Sequence, residues 1–407
     1  MNARVEALCG LDRGEGEEMT RKQVTPGDTF LAQSANVDIR ARGESGGVVT
    51  ALLKFLLESG RVDAALAMGK GRDIFDGVPM VIKDPGKITG ISGSIQCAPQ
   101  LLSRYACKYL SGAKDAKIAI VGVGCDAAAL QLMAKKGRIN LDNVIFIGLN
   151  CRGTAPPIKT KALVNKLCHV DPNNVVKEEI SKGNIILETR DHEHRELSIE
   201  KLKSERSSRR SNCLRCEIKI PRMAAITCGY WGVTGSDAGR YSFVEVCSTV
   251  GADILEAAIK AKAVHAKKPS SKSTELRNNI EKSQLALARR WQKHDFKGPV
   301  EKDDYWLRQF SKCIKCLGCV KVCPICVCES CKLTGSDVNW FEPNRYPVSP
   351  KFHYTRAAHI ASDCTGCGQC EDVCPVEIPL SAFYQQSSKE YRELLEKFDR
   401  INSTPPR

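Results

Sequence analysis

Eight cysteines in the last hundred residues form two runs with the same spacing, C-x2-C-x2-C-x3-C-P. In chain order they are Cys313, Cys316, Cys319, Cys323, Cys364, Cys367, Cys370 and Cys374. In this pattern three thiolates from one loop bind a [4Fe–4S] cluster, and the fourth cysteine binds the neighbouring cluster. We therefore expect Cys374 to complete the first set and Cys323 to complete the second. The alternative, a pair of zinc sites, typically uses two separated C-x2-C pairs.

Four cysteines further upstream could form a third site. Cys125 and Cys151 each follow a continuous apolar stretch that is typical of a buried parallel strand, and sites in such sheets form beyond the carboxyl ends of the strands. Cys213 and Cys216 form a C-x2-C pair in a basic, polar segment. Together the four predict a four-thiolate centre, for which an iron–sulfur cluster and zinc are both open.

The segment between the two C-terminal runs holds three more cysteines, Cys326, Cys328 and Cys331. One interpretation is that they pack in a small loop. The other is that they bind a further metal centre. Both interpretations stay open on the sequence alone.

A glycine-rich turn precedes the first strongly apolar helix. Residues 46–59 carry apolar side chains at helical spacing, and Ser45 is a good N-cap for this helix. Gly46 and Gly47 would let a ligand approach the backbone, and a helix N-terminus attracts an anion such as a flavin pyrophosphate. The turn differs from the G-x-G-x-x-G fingerprint of Rossmann folds, so it does not indicate NAD.

The elements that must position these residues indicate an α/β fold. Apolar stretches at 117–123 and 143–149 alternate with helical patterns, which predicts a mainly parallel sheet covered on both faces. A smaller two-cluster ferredoxin-like α+β module follows it. The predicted domains are an N-terminal extension (1–34), the α/β domain (35–264), a basic helical linker (265–302), the ferredoxin-like module (303–388) and a C-terminal tail (389–407).

Composition narrows the class of protein further. Twenty-one cysteines without an export signal favour metal ligation over disulfides. The net charge of +14 lies in residues 1–300 and suggests an anionic partner, but no nucleic-acid-binding motif is present. The apolar runs are too short to span a bilayer. We expect a cytoplasmic protein that binds neither nucleic acid nor membranes.

Seven short motifs follow one another in an order typical of one family. They are ESGGVVTALL (44–53), LESGRVDAA (57–65), VGVGC (121–125), IGLNC (147–151), NCLRC (212–216), GYWGV (229–233) and FVEV (243–246). Over residues 40–385 the chain resembles the coenzyme F420-reducing hydrogenase beta-subunit family. The ferredoxin-like module and the CPICVCESC stretch at 323–331 resemble, within that family, the beta subunit of F420-dependent formate dehydrogenase.

The resemblance implies a non-Rossmann FAD site, a docking site for the deazaflavin F420 and a [4Fe–4S] cluster near the flavin. It implies that Cys125, Cys151, Cys213 and Cys216 hold this cluster, which gives three [4Fe–4S] clusters in all. The flavin contacts that it implies are Ser45, Gly46, Gly47 and Thr50, with Ser92, Ser94, Gln96, Gly229, Trp231 and Gly232 as further cofactor-loop candidates.

The basic character of residues 200–222 agrees with this interpretation. The stretch contains eight Lys and Arg, which suit the phosphodiester and glutamate tail of F420. The alternative is a solvated charged loop.

We therefore expect an oxidoreductase subunit that passes electrons between a molybdopterin-carrying formate dehydrogenase alpha subunit and F420. Hydride transfer would occur at FAD, with no side chain acting as a catalytic acid or base. The alternatives are a different acceptor, a heterodisulfide reductase-type complex as partner, or a non-catalytic polyferredoxin adaptor.

Overall fold

The computed structural model describes residues 23–98, 100–181, 184–198, 209–297, 304–328, 331, 333–334 and 350–403. The strands are β1 (Thr29–Ser34), β2 (Ala64–Lys70), β3 (Gly77–Ile82), β4 (Ile118–Gly122), β5 (Val144–Leu149), β6 (Val175–Ser181), β7 (Asn184–Thr189), β8 (His194–Ser198), β9 (Ile226–Gly229), β10 (Ser242–Val246) and β11 (Val264–Lys267). The helices are α1 (Val37–Arg42), α2 (Val48–Glu58), α3 (Leu102–Tyr109), α4 (Gly124–Lys135), α5 (Pro157–Cys168), α6 (Ser211–Arg215), α7 (Thr249–Lys260), α8 (Ser271–Lys297), α9 (Tyr305–Phe310), α10 (Gly318–Lys321), α11 (Lys351–Ile360), α12 (Gln369–Asp372) and α13 (Leu380–Ser403).

A mixed sheet forms the centre of the α/β domain, with the strand order β11-β1-β10-β9-β5-β4-β2-β3. Its central strands β2, β4, β5 and β9 pair in parallel, whereas β3 on one side and β10, β1 and β11 on the other pair antiparallel. The predicted α/β class with a parallel sheet is thus confirmed for the centre. A separate antiparallel sheet has the order β6-β7-β8.

Helices cover both faces of the central sheet, because its strands are apolar on both sides. Ala65 and Ala119 pack with helix α2 in one core cluster, while Leu66 and Ile120 pack with α3 and α4 in another. Because both faces are buried, the sequences of β4 and β5 are continuously apolar and do not alternate between apolar and polar residues.

The domain boundaries differ from the predicted ones at both edges of the α/β domain. Strand β1 begins at residue 29, inside the predicted N-terminal extension, and lies between β10 and β11. Residues 1–22 of that extension lie outside the described residues. The predicted linker contributes strand β11 and helix α8, and α8 packs on the sheet through Arg277, which is buried and bonds to Glu245 at 2.9 Å. The segment is therefore a packed part of the fold.

In the described parts of the C-terminal module, the regular elements are helices α9 to α13. They enclose a separate core that includes Phe310, Phe352, Phe383 and six of the eight cluster-motif cysteines. Across the described residues, no helix has the length and apolar character needed to cross a membrane.

Candidate functional site

Two cavities in the C-terminal module are each lined by four of the eight motif cysteines. The first, of about 330 Å3, is lined by Cys313, Cys316, Cys319 and Cys374. The second, of about 360 Å3, is lined by Cys323, Cys364, Cys367 and Cys370. Each cavity combines three cysteines of one run with the last cysteine of the other. This is the crossed arrangement that the spacing predicts, because the C-terminal cysteine of each run begins a turn facing the opposite loop.

Helix α11 separates these two cavities and supplies a different side chain to each. His353 lines the first cavity and Arg356, one turn later, lines the second. Tyr384 connects them: its hydroxyl lies 2.9 Å from His353 Nδ1, and its ring lies 4.4 Å from the Arg356 guanidinium. Burial and the nearby Arg356 charge lower the pKa of His353 to about 4, so its imidazole is neutral near pH 7.

The cysteines between the two runs lie beside the second cavity. Cys326 lies close enough to Cys323 for a hydrogen bond that lowers the pKa of Cys323 to about 6. Cys328 is exposed. Within the described ranges, no group of three His, Cys, Asp or Glu side chains is arranged to hold a single metal ion. Packing and metal binding therefore both stay open as interpretations of Cys326, Cys328 and Cys331.

The four upstream cysteines come together at one end of the parallel strands. Cys125 lies in the first turn of α4, which follows β4, and Cys151 lies two residues after the end of β5. Helix α6 brings Cys213 and Cys216 to the same place. Burial, followed by repulsion from Cys213 and Cys216, raises the pKa of Cys151 to about 12. Buried thiols this close together ionise only beside a strong positive centre, which is what a bound metal supplies.

A close backbone approach holds this cysteine group together. Gly153 has φ of +118°, and a Cβ on it would lie 2.7 Å from Cys213 Cβ. Its amide donates to Cys151 Sγ at 3.3 Å. Lys219 is buried beside the group and donates from Nζ to the Cys213 carbonyl at 3.3 Å. Only glycine at 153 meets both the backbone conformation and the spacing.

Helix α6 also joins this cysteine group to the second cavity of the C-terminal module. Asn212 Nδ2 donates to the Gly366 carbonyl at 3.1 Å, and Arg210 Nη2 donates to the Cys367 carbonyl at 2.9 Å. Arg210 also forms an ion pair with Asp372. Because Asn212 immediately precedes Cys213, one short helix contacts both cysteine sets.

A buried ion pair strengthens the same interface. Arg215, which is 1% exposed, bonds to Asp295 of α8 at 2.6 Å and to Ser381 Oγ of α13 at 2.6 Å. Its Nε donates to Gln385 Oε1 at 3.1 Å. The basic stretch predicted to bind F420 or to face solvent is thus, at Arg210 and Arg215, an internal contact between domains. Its positions 201, 203 and 206 lie outside the described residues.

A much larger cavity, of about 1450 Å3 and open to solvent, lies beside one of the upstream cysteines. The N-terminus of α2 and the loops after β4, β5 and β9 line it, and Cys151 contributes to its wall. Gly47, at the N-cap of α2, has φ of +68°, and no side chain caps the helix. The free amides of this first turn give the cavity an electropositive end.

Several buried polar atoms facing this cavity lack partners within the described part of the chain. They are both amide atoms of Asn150, Arg152 Nε, Gln100 Oε1 and the Tyr230 hydroxyl. Buried polar groups are normally satisfied, so this set indicates a polar ligand. The sequence prediction missed these residues, although Asn150 and Tyr230 lie beside predicted site residues at the carboxyl ends of β5 and β9.

The cavity includes part of the predicted flavin contacts. Ser45, Gly47, Thr50, Ser94, Gln96 and Gly229 line it. Ser45 is not the N-cap of α2, because its hydroxyl instead lies 2.9 Å from Ser242 Oγ.

Four predicted contacts are not among the lining residues: Gly46, Ser92, Trp231 and Gly232. The Gly46 carbonyl accepts from the Ser34 amide at 2.7 Å, and Trp231 is buried in the core. A Cβ on Gly232 would lie 2.6 Å from the Ser273 carbonyl, so this glycine permits close packing of α8. The sequence alone could not distinguish a flavin contact from a residue that packs against α8, because the position of α8 depends on tertiary packing.

The fold and the cysteine sets together define an iron–sulfur protein with a large additional cavity beside the upstream cysteines. Residues 357–379 match a 4Fe-4S binding domain. Residues 29–104 and 115–272 match the N-terminal and C-terminal models of the coenzyme F420 hydrogenase/dehydrogenase beta subunit. The chain therefore belongs to the coenzyme F420 hydrogenase/dehydrogenase beta-subunit family.

Curated relatives and a solved structure agree with this assignment. The chain is 40% identical to the F420-dependent formate dehydrogenase subunit beta of Methanocaldococcus jannaschii, over 92% of this chain and 97% of the relative. It is 40% identical to the F420-dependent formate dehydrogenase 1 subunit beta of Methanococcus maripaludis, over 90% and 94%. A chain of the F420-reducing [NiFe] hydrogenase complex from Methanosarcina barkeri has the same fold, with a TM-score of 0.59 and 20% identity over 70% of this chain and 98% of that one.

Proposed function

We propose that this chain is the electron-transfer subunit between a formate dehydrogenase catalytic alpha subunit and coenzyme F420. In this proposal it binds three [4Fe–4S] clusters and one FAD. The names of the two 40%-identical relatives support the partner and the acceptor. In this proposal the catalytic centre belongs to a different subunit, in line with the word subunit in the relatives' names.

The observation that carries the proposal is the order of the sites in space. The set with Cys313 and Cys316 lies at the exposed side of the C-terminal module, where Cys316 itself is exposed. Helix α11 connects this set to the one with Cys364, and α6 connects that set to Cys213. Cys151 of the last set lines the large cavity. The three cysteine sets thus follow one another between the exposed Cys316 and the large cavity.

The large cavity fits a flavin nucleotide. The uncapped first turn of α2 would hold the pyrophosphate, because its amides and the helix dipole favour an anion. The unpartnered atoms of Asn150, Gln100 and Tyr230 would serve the polar edge of a ring system or a ribose. The apolar side chains of Leu53 and Met68 supply the nonpolar wall.

The three cysteine sets fit iron–sulfur clusters by their donor chemistry, since each brings four thiol groups close together. When bound, such clusters carry one electron each, and a flavin converts single electrons into the hydride that a deazaflavin accepts. The chain's own residues set the order of the sites, and the contacts of Arg210 and Asn212 join the upstream set to the second cavity. No acid or base side chain is required.

The first test is anaerobic reduction of the purified protein with its FAD and clusters. Reduced F420 should bleach the flavin and cluster absorbance promptly, whereas NADH should not. Bleaching by NADH alone, or no bleaching by reduced F420 despite bound FAD, would exclude F420 as the physiological acceptor. Clusters without any bound flavin would instead favour a polyferredoxin adaptor.

A further inference from the structure

Arg356 is a completely buried arginine in the C-terminal module. Its Nη2 donates to the Cys319 carbonyl at 2.9 Å and lies 4.0 Å from Cys326 Sγ. The Tyr384 ring lies against the guanidinium at 4.4 Å. Arg356 thus contacts the loop of one cysteine run while it lines the cavity formed by Cys323 and the other run.

The charge of Arg356 has no carboxylate to balance it within the described residues. Its Nε and Nη1 atoms are buried and have no hydrogen-bond partner there. A buried charge without a counter-charge is strongly unfavourable. An arginine remains protonated at any ordinary pH, so it cannot relieve this cost by losing its proton. A negatively charged group in the adjoining cavity would balance it.

We propose that the Arg356 guanidinium raises the reduction potential of the cluster held by Cys323, Cys364, Cys367 and Cys370. The inference rests on the cluster ligation proposed above. Uptake of one electron makes a cluster one unit more negative, and an adjacent fixed positive charge stabilises that reduced form. Arg356 is therefore a tuning residue for the middle site of the path, which receives electrons from one side and delivers them to the other.

Other cations near the two cavities differ from Arg356 in ways that allow a selective test. Arg210 also approaches the second cavity, but Asp372 neutralises it. Lys315 lines the first cavity, together with the neutral His353. Removing the Arg356 charge should consequently lower the potential of the cluster in the second cavity more than that of the cluster in the first, even though helix α11 lines both cavities.

The test is an EPR-monitored redox titration of the full chain with its clusters, comparing wild type, Arg356→Met, Arg356→Gln and Arg356→Lys. A matched control is Arg308→Met, because Arg308 is exposed in the same module and pairs with Asp304 at the start of its own helix. The neutral Met and Gln variants should lower the reduction equilibrium constant of one cluster at least about tenfold, which is about 59 mV for one electron. The Lys variant should retain most of the wild-type potential, and Arg308→Met should match wild type.

The affected signal is assigned by comparison with Cys370→Ala, which should perturb the same cluster. Unchanged potentials in both neutral variants, or an equal shift of all clusters, would overturn the inference. Loss of iron and sulfide from both neutral variants would also overturn it, since Arg356 would then be a folding residue. If wild-type protein has no [4Fe–4S] signals, the proposed function fails; if it has them and only the shift is absent, this inference alone fails.

Discussion

The two regions that carry cysteine sets build them in different ways. In the C-terminal module, each set takes three cysteines from one loop of seven residues and a fourth from the matching run. In the α/β domain, the single set takes its cysteines from the start of α4, the end of β5 and helix α6, which are far apart in the chain. The first region is specified by local spacing, and the second depends on the folded sheet.

This difference predicts how each region responds to change. A C-terminal set should re-form whenever its own loop and the last cysteine of the other run are intact, whereas the α/β set needs the sheet register, Gly153 and the position of α6 together. The interface made by α6 therefore matters more to the upstream set than to the C-terminal ones. Four predictions test this difference, in order of decreasing expected effect.

The largest effect is expected from Cys213→Ser, which removes a thiolate from the upstream set. The protein should lose about a third of its iron, since one of three [4Fe–4S] clusters is lost. Reduced F420 should then bleach the flavin but no longer the C-terminal clusters. Iron analysis and anaerobic absorbance measure both results.

The control for this substitution is Cys168→Ser, because Cys168 ends α5 and lies outside all three sets. It should keep its iron and its cluster bleaching. Full iron content in Cys213→Ser would show that the upstream set does not hold a cluster.

The next effect concerns the crossed sets of the C-terminal module. Cys316→Ala and Cys374→Ala should perturb the same EPR signal, because both residues line the first cavity. Cys323→Ala and Cys370→Ala should perturb a second signal, for the same reason at the second cavity. If Cys374→Ala instead perturbs the signal that Cys370→Ala perturbs, the crossed ligation is wrong.

The third effect is on stability at the interface. Arg215→Met removes a buried guanidinium that faces Asp295 at 2.6 Å. Breaking one partner of a buried ion pair typically costs about 3 to 5 kcal/mol, so thermal unfolding should begin at a clearly lower temperature.

Arg289→Met is the matched change for Arg215→Met, since Arg289 pairs with Glu217 at the surface. It should alter the free energy of unfolding by less than about 1 kcal/mol. Equal effects of the two substitutions would contradict the structural role of the α6 interface.

The smallest effect is expected at the flavin end of the path. Gly47→Ala places a Cβ 2.9 Å from the Ile39 carbonyl oxygen at a φ of +68°. The left-handed conformation costs an alanine about 1 to 2 kcal/mol, so FAD affinity should fall about tenfold as the first turn of α2 shifts.

Gly60→Ala separates backbone strain from loss of the ligand contact. Gly60 has φ of +66°, but a Cβ added to it would meet no atom within 4 Å, and it follows the other end of α2. This variant should lose similar stability and keep its FAD. Flavin fluorescence after equilibrium dialysis measures both variants; equal FAD content in the two would remove Gly47 from the binding site.

Much of the site could be predicted from residue types and order along the chain. Three consecutive cysteines at three-residue spacing can only close a small loop, so the C-terminal sets follow from local geometry. The positions of Cys125 and Cys151 after buried strands likewise predict a common sheet edge, because parallel strands end on the same side. The strands β4 and β5 are predictable as continuous apolar runs, because they are buried on both faces.

The remaining features depended on contacts between distant residues. The placement of Trp231 and Gly232 against α8, and the roles of Asn150 and Arg152 at the large cavity, have no local signature. The same holds for the antiparallel pairing of β1 with β10 and β11, because β1 carries no signal for its partner strands.

Spacing and apolar periodicity act over a few residues, so local sequence predicts both the grouping of the C-terminal thiols and the α/β class. The burial of Arg210 and Arg215 in an internal interface is visible only in the tertiary structure. A charged side chain has the same local sequence whether it meets solvent or a buried carboxylate. Which of the two it meets depends on how the domains pack, and that packing is set by the sum of many long-range contacts.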